Sequence, residues 1–251
     1  MIKFRLLLGI LFSVITINAQ SFQGKVVYKS IALDKERYLN QLADFSISPS
    51  KKAELQESIS ILERMFENSY ELIFNKSLSK FKKKAKIGSD GKEDISAMSS
   101  TIYKDFDKHI YYEDKEIVGD NFLICDSLPK YDWKVSTEVK KIGKYTCSKA
   151  NFTNSIIRYK RIPSPNGGFE TKPETEVISG EAWYAAEIPV SNGPDRFHGL
   201  PGLILEVTYN QGKSKMICTE IEINNDQKQK IELPTDKKAI SEEQYWKEKD
   251  M

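Results

Sequence analysis

The sequence predicts a mainly β fold of the α+β kind: a curved antiparallel sheet or half-barrel, with a helical hairpin inserted after the first strand and a short C-terminal helix. Three observations predict it. Short runs rich in Val, Ile, Tyr, Phe and Trp recur along most of the chain, separated by turns containing Gly, Asn or Pro. One stretch near the front breaks that rhythm and repeats its apolar residues at helical spacing. Neither an internal repeat nor a linker divides the chain, so residues 20–251 read as one domain.

Ser21–Ile31 reads as the first strand, centred on Val26, Val27 and Tyr28. From Asp34 the period changes: Tyr38, Leu42 and Phe45 predict one helix. Ser48-Pro49 then supplies a cap and a first-turn proline for a second helix over roughly 50–67, with Leu55, Ile59, Leu62 and Phe66 on one face. The apolar stripe of this hairpin is expected to contact the core.

Strands resume at Tyr70–Phe74 and Ser77–Phe81, followed by the turn cluster Gly88-Ser89-Asp90-Gly91. Further strands are expected at Thr101–Phe106, His109–Tyr112, Ile117–Cys125, Trp133–Val139, Tyr145–Phe152 and Ile156–Arg161. Residues 162–175 carry three prolines and two glycines and read as a long surface loop. Glu176–Ile188 returns to strand with Trp183 and Tyr184, one of which should face inward. Leu203–Tyr209 and Lys215–Ile223 form a hairpin about Gln211-Gly212, with Ile217, Thr219, Ile221 and Ile223 on one face. Ser241 and Gln244 have capping-box spacing, so a terminal helix through Trp246 should dock on the sheet.

The front of the chain has the form of an export signal. Lys3 and Arg5 precede Leu6–Ile17, an uncharged run, and Ala19 offers a small residue for cleavage before Gln20. The run is short for a membrane span, which takes about 20 apolar residues. Residues 1–19 are therefore expected to be removed, leaving a soluble periplasmic or secreted protein. Lipid attachment would need a cysteine directly after the cut, and the first one is Cys125. The 38 basic residues, less Lys3 and Arg5, balance 36 acidic ones. That balance gives no field favouring nucleic acid or anionic membrane. The run Lys82-Lys83-Lys84 reads as a solvated strand or turn face.

Chemistry-bearing motifs are absent. The three cysteines, Cys125, Cys147 and Cys218, are far apart and form no CxxC pair, which argues against zinc and thioredoxin-type sites. At most one internal disulfide is possible among them, and burial as three free thiols is the alternative. With two histidines, His109 and His198, a His-rich metal site is excluded. His198, just before a Gly/Pro turn, reads as a hydrogen-bonded turn residue. There is no GxSxG elbow and no phosphate-cradling glycine loop. Asp105/Asp107 and Glu242-Glu243 read as solvated or as helix-dipole residues. No cofactor, metal or catalytic residue is assigned.

One segment is tightly specified. In Gly199-Leu200-Pro201-Gly202-Leu203-Ile204, Pro201 suits the second position of a type II turn and Gly202 the third, where φ is positive. Leu203, Ile204 and Leu205 then open a strand that is apolar on both faces and should be central. As a folding device, the segment should lose most stability with Leu203→Ala, less with Gly202→Ala and least with Pro201→Ala. Asn192-Gly193-Pro194 makes a second turn just upstream.

That hexapeptide is the one after which the GLPGLI family is named, and the chain resembles that family over most of its length. The likeness extends to Ile142-Gly143-Lys144-Tyr145-Thr146-Cys147-Ser148-Lys149-Ala150, to Ala182-Trp183-Tyr184 with Glu187-Ile188-Pro189, to Gly193-Pro194, and to Leu205-Glu206-Val207. Lys144 departs from the pattern, where a second glycine is common. The resemblance implies a secreted protein of Bacteroidota-type bacteria with no assigned activity, and it transfers no catalytic residue.

Two functions are therefore weighed. The favoured one is a non-catalytic envelope protein that binds a peptide, an apolar ligand or an outer-membrane transport component. The alternative is a hydrolase with two carboxylates in one cleft, their pKa values pushed apart.

Overall fold

Strand-forming residues are carried into a single large sheet. In this computed structural model of the chain, residues 22–32, 47–66, 68–87, 93–94, 98–117, 120–165, 167–224 and 230–248 are described. The elements in order are β1 (Gly24–Ala32), α1 (Pro49–Phe66), β2 (Asn68–Phe74), β3 (Leu78–Lys83), β4 (Lys86–Ile87) and β5 (Glu93–Asp94). Then come β6 (Met98–Asp105), β7 (Ile110–Ile117), β8 (Asp120–Ser127), β9 (Trp133–Ile142), β10 (Tyr145–Pro163) and β11 (Phe169–Ala185). The last are β12 (Leu203–Tyr209), β13 (Ser214–Ile223), β14 (Ala239–Ile240) and α2 (Glu242–Glu248).

Apart from the small β4–β5 ribbon, all strands join one open sheet in the order β14-β8-β7-β6-β3-β2-β1-β13-β12-β11-β10-β9. Every pairing in it is antiparallel except β14 on β8, which is parallel. Chain connectivity forces the sheet to curl. Strands β8 and β9 stand near opposite ends, about 48 Å apart if the sheet were flat at ~4.8 Å per strand. Yet the segment 128–132 joins them directly, and so short a connector spans at most about 20 Å. The two ends are drawn together without closing.

Helix α1 starts where Ser48-Pro49 predicts, with the Lys51 amide donating to Ser48 Oγ (3.4 Å). The other arm of the expected helical hairpin, from Asp34 to Phe45, lies outside the described residues, as do the side chains of 59–66 and the turn 88–91. What is described after β1 is thus one helix, and the hairpin is not supported. At the other end the capping box forms as read: the Gln244 amide donates to Ser241 Oγ (3.1 Å) and the Ser241 amide to Gln244 Oε1 (3.0 Å). The buried Tyr245 and the neighbouring Trp246 hold α2 against Tyr111, Ile124 and Leu128.

Three expectations need correction. The runs Tyr145–Phe152 and Ile156–Arg161 are one strand, β10, and the expected loop 162–175 is mostly ladder. Only five positions separate the two strands, and Gly167 and Gly168 among them take φ of 87° and 79°. Pro173 fits inside β11 because that stretch pairs only with β10, so its missing N–H faces the open side. Ion pairs of Arg158 with Glu176 and Lys160 with Glu174 tie the two strands together. The second correction is in β13. A bulge at Thr219, opposite Val27/Tyr28, shifts the core-facing set to Met216 and Cys218 on one side and Ile221 and Ile223 on the other. Third, Trp183 and Tyr184 are both buried; the Lys140 ammonium lies over the Trp183 ring at 4.3 Å and covers its outer face.

The thiols are all free in the structure. Cys147 on β10 and Cys218 on β13 are separated by two intervening strands, which sets their backbones about 14 Å apart, beyond the ~7 Å limit for a disulfide. Burial pushes the Cys147 thiol up to about 11 and Cys218 to about 12, which keeps both protonated and unreactive. Thiol labelling after unfolding without reductant should therefore give three adducts per chain. One adduct would mean a disulfide that the structure does not contain.

Candidate functional site

The loop Ala186–Gly202, between β11 and β12, fills the space enclosed by the curled sheet. Phe197 and Leu200 from this loop enter the main core beside Leu72, Phe81, Ile102, Phe152 and Tyr184. Backbone bonds lace the loop to the start of β12: the Leu203 amide donates to Ile188 O (3.1 Å) and the Ile204 amide to Asn192 O (2.9 Å). The Tyr28 hydroxyl donates to Ile204 O at 2.6 Å from across the sheet.

The hexapeptide is part of this packing. Leu200, Leu203 and Ile204 are fully buried, while Gly199 and Pro201 lie at the surface. The turn is not type II. The Gly202 amide donates to Leu200 O (2.8 Å), a tighter bond spanning Pro201 alone. Glycine is needed at 202 for space: a Cβ there would stand 2.4 Å from Ala185 O. Gly199 is the residue with left-handed backbone, at φ 99°.

Beneath the loop lies a charged cluster that sequence reading missed. Lys104, on β6, is 0% exposed. Its Nζ donates to Gly193 O (2.8 Å) and Phe197 O (3.3 Å), clamping the loop to the sheet. Burial lowers its pKa to about 7, against the attraction of Asp195. Ser79, directly opposite Lys104 on β3, and Asn192 are also fully buried. Their Oγ and Nδ2 atoms have no hydrogen-bond partner among the described residues.

Arg196 extends the cluster toward α2. Its guanidinium lies over the Tyr111 ring (4.2 Å) and pairs with Glu113 and, at 3.6 Å, with Glu242. Glu113 also accepts from Ser100 Oγ (2.8 Å) and meets Lys115 at 3.2 Å. Burial works to raise the Glu113 carboxyl, but Arg196, Lys115 and Ser100 outweigh it and hold it below the usual range. Asp195 goes the other way: burial raises it, and Arg196 and Lys104 only partly offset that. It occupies a turn closed by the Phe197 amide on Pro194 O (3.0 Å), with φ 52°, a conformation that aspartate tolerates better than most residues.

The histidines are placed apart. His109 sits in the exposed β6–β7 turn at φ 58°, its ring against Phe106 O. His198 fastens the loop to the β8–β9 connector and the start of β9: its ring Nε2 meets Pro129 O at 2.9 Å, and its own carbonyl accepts from Trp133 Nε1 (2.8 Å). Burial and the nearby Lys104 charge lower its pKa to about 4, so it stays neutral. Asp105, read as solvated, is only 4% exposed and caps the following turn by accepting from the Lys108 amide (3.0 Å).

A signal for the cluster was present. Ile102 and Lys104 alternate onto one face of a strand, so an unaccompanied lysine falls among core residues. Its partners are a carbonyl pair from nearly a hundred residues away, which no local pattern announces.

Comparison with known proteins reaches the loop but not Lys104, Glu113 or Glu242. Residues 133–206 match a family described as "Protein of unknown function (Porph_ging)", an uncharacterised family found in Bacteroidota. That stretch runs from β9 through the loop into β12, and it includes the hexapeptide. The family carries a name other than that of the hexapeptide. Comparison with curated proteins gives no match. Among solved structures, "Structure of PNGF-II in P21 space group" is 15% identical with a TM-score of 0.49, and "Structure of PNGF-II in C2 space group" is 13% identical with the same score. Each match covers 90% of this chain and 32% of the other, so the chain spans about a third of those proteins.

Proposed function

We propose that this is an exported, non-catalytic binding protein of the bacterial envelope, built as a half-barrel whose interior is plugged by its own loop. One observation carries the reading: the reactive side chains gathered under the loop are held by partners inside the chain. Lys104 holds two loop carbonyls, Arg196 holds Glu113 and Glu242, Tyr111 donates to Glu242 (3.1 Å), and His198 holds Pro129 O. Such an arrangement fastens loop, helix and connector to the sheet. A general acid or base needs instead a free group within reach of substrate. Export rests on the charge, apolar run and small residue of positions 1–19.

One arrangement favours a second reading, a carboxylate hydrolase: Arg196 follows Asp195 in the chain and pairs with Glu113, and the two carboxyls are shifted in opposite directions. Purification of the exported protein, with N-terminal sequencing and mass spectrometry of what copurifies, tests both. The binding reading expects a start near Gln20, a recurring stoichiometric partner, and no turnover of generic ester, glycoside or peptide substrates. Turnover that disappears in both Asp195→Asn and Glu113→Gln would replace it with the hydrolase, and a retained Met1 would end the case for export.

A further inference from the structure

One terminal strand of the sheet is open to addition. At the other end, the short β14 covers β8 and α2 packs beside it. Strand β9 has no neighbour on its outer side among the described residues. Its last four residues, Val139–Ile142, lead into the two-residue turn Gly143-Lys144 and pair with Tyr145–Ser148. In a ladder closed this way, Ile142 and Lys140 turn their N–H and C=O groups toward β10, while Lys141 and Val139 turn theirs away. Thr146, opposite Lys141, confirms the alternation: its amide points to the far side of β10 and donates to Glu187 Oε1 (3.0 Å). Val139 and Lys141 therefore offer outward backbone donors and acceptors.

The side chains select the occupant. Val139 is 64% exposed. Lys130, Lys134, Lys141 and Lys144 make no ion pair among the described residues. The nearby Glu138 is taken by Lys149 (3.3 Å), and Lys140 by Glu206 (2.9 Å), which leaves Asp132 as the remaining carboxylate of the edge. The edge is thus positive although the whole chain is nearly balanced. Two copies meeting edge to edge would oppose lysine to lysine, which disfavours a dimer here. Ser136–Glu138 breaks the ladder with a bulge closed by the Glu138 amide on Ser136 Oγ (3.0 Å), so an added strand is confined to the end nearer the turn.

We propose that Val139–Ile142 binds an extended, acidic segment of a partner polypeptide by strand addition, its carboxylates meeting Lys141 and Lys144 and an apolar residue covering Val139. This rests on the binding reading above and names the surface. The probe is a labelled alternating Glu-Val hexapeptide, followed by fluorescence anisotropy against the full-length exported protein. Binding should weaken about tenfold with Lys141→Pro, which removes one outward N–H and leaves the β10 ladder whole. Similar weakening should follow Lys141→Glu with Lys144→Glu, and added salt should weaken the parent complex. An alternating Lys-Val hexapeptide should bind at least about tenfold more weakly. Equal affinity of all variants, or binding of anionic vesicles with none of the acidic peptide, would overturn the proposal. A copurifying partner retained by Lys141→Pro would place binding elsewhere on the protein and leave the binding reading standing.

Discussion

Replacing Gly202 with alanine is expected to destabilise the protein by about 3 kcal/mol or more, as for other forced overpacking of a core. The added Cβ would stand 2.4 Å from Ala185 O, 2.7 Å from Ala185 C and 2.9 Å from Ala186 Cα. All three are backbone atoms, so no flexible side chain can swing aside. Relief requires the loop to lift from the end of β11, which would uncover Leu200 and Leu203. Leu203→Ala should cost a comparable amount, about 2–5 kcal/mol, since its side chain is fully buried in β12. Pro201, at the surface, should cost no more than about 1 kcal/mol as alanine. The structure thus lifts Gly202 to the level of Leu203, above its rank in the sequence-based expectation. Urea unfolding of the three variants beside the parent measures this. A Gly202→Ala variant as stable as Pro201→Ala would show that the loop does not press on β11.

The second large effect is a rise in stability with pH caused by Lys104. Below pH 7 the amine is charged in both folded and unfolded chains, and the full cost of burying that charge is present. Between about 7 and 10.5 the unfolded chain keeps the proton while the folded one releases it. Unfolding then takes up a proton, so stability increases through this window. From pH 7 to 9 the gain should be about 2 kcal/mol. Above 9 the raised thiols of Cys147 and Cys218 work in the opposite sense, because their contribution is lost as pH climbs through about 11 and 12. On the acid side, His198 resists protonation down to about 4, and Glu113 is held low. His198 therefore makes stability fall as pH drops from 6.5 toward 4 and Glu113 adds to the fall at lower pH, while the raised Asp195 carboxyl works in the opposite sense. The measurement is the urea midpoint at pH 7, 8 and 9 for the parent and for Lys104→Met. The parent should gain about 2 kcal/mol relative to the variant over that range, while ionisation of the thiols in the unfolded chain lowers both slightly toward pH 9. Equal slopes would assign the effect to other groups.

Much of the architecture was legible locally. The Ser48-Pro49 start and the Ser241/Gln244 capping box are interactions over three residues, so adjacent sequence contains both partners. Most strand positions follow from alternation. Turn chemistry also explains the departure at Lys144: Gly143 takes φ 57° at the first turn position, the one place where a type II′ turn needs glycine. Reading failed where composition misled. Pro163, Pro173, Gly167 and Gly168 looked like a loop, but the glycines make one tight turn and Pro173 stands on an open edge. The candidate site was less legible. His198 and the hexapeptide drew notice, whereas Lys104, Arg196 and Glu113 did not, because their partners come from distant strands.

The sequence by itself determined the β character of the chain, the caps of both described helices and the Gly/Pro loop before β12. These are decided by backbone sterics and short-range hydrogen bonds, whose partners lie within a few residues. Only the tertiary structure decided that the sheet curls until the β8 and β9 ends are joined by five residues, that the loop becomes the core, and that a lysine is buried to hold it. Those outcomes depend on strand order, on the space left between facing elements and on charges brought together across the fold, quantities that exist only once the chain has closed on itself.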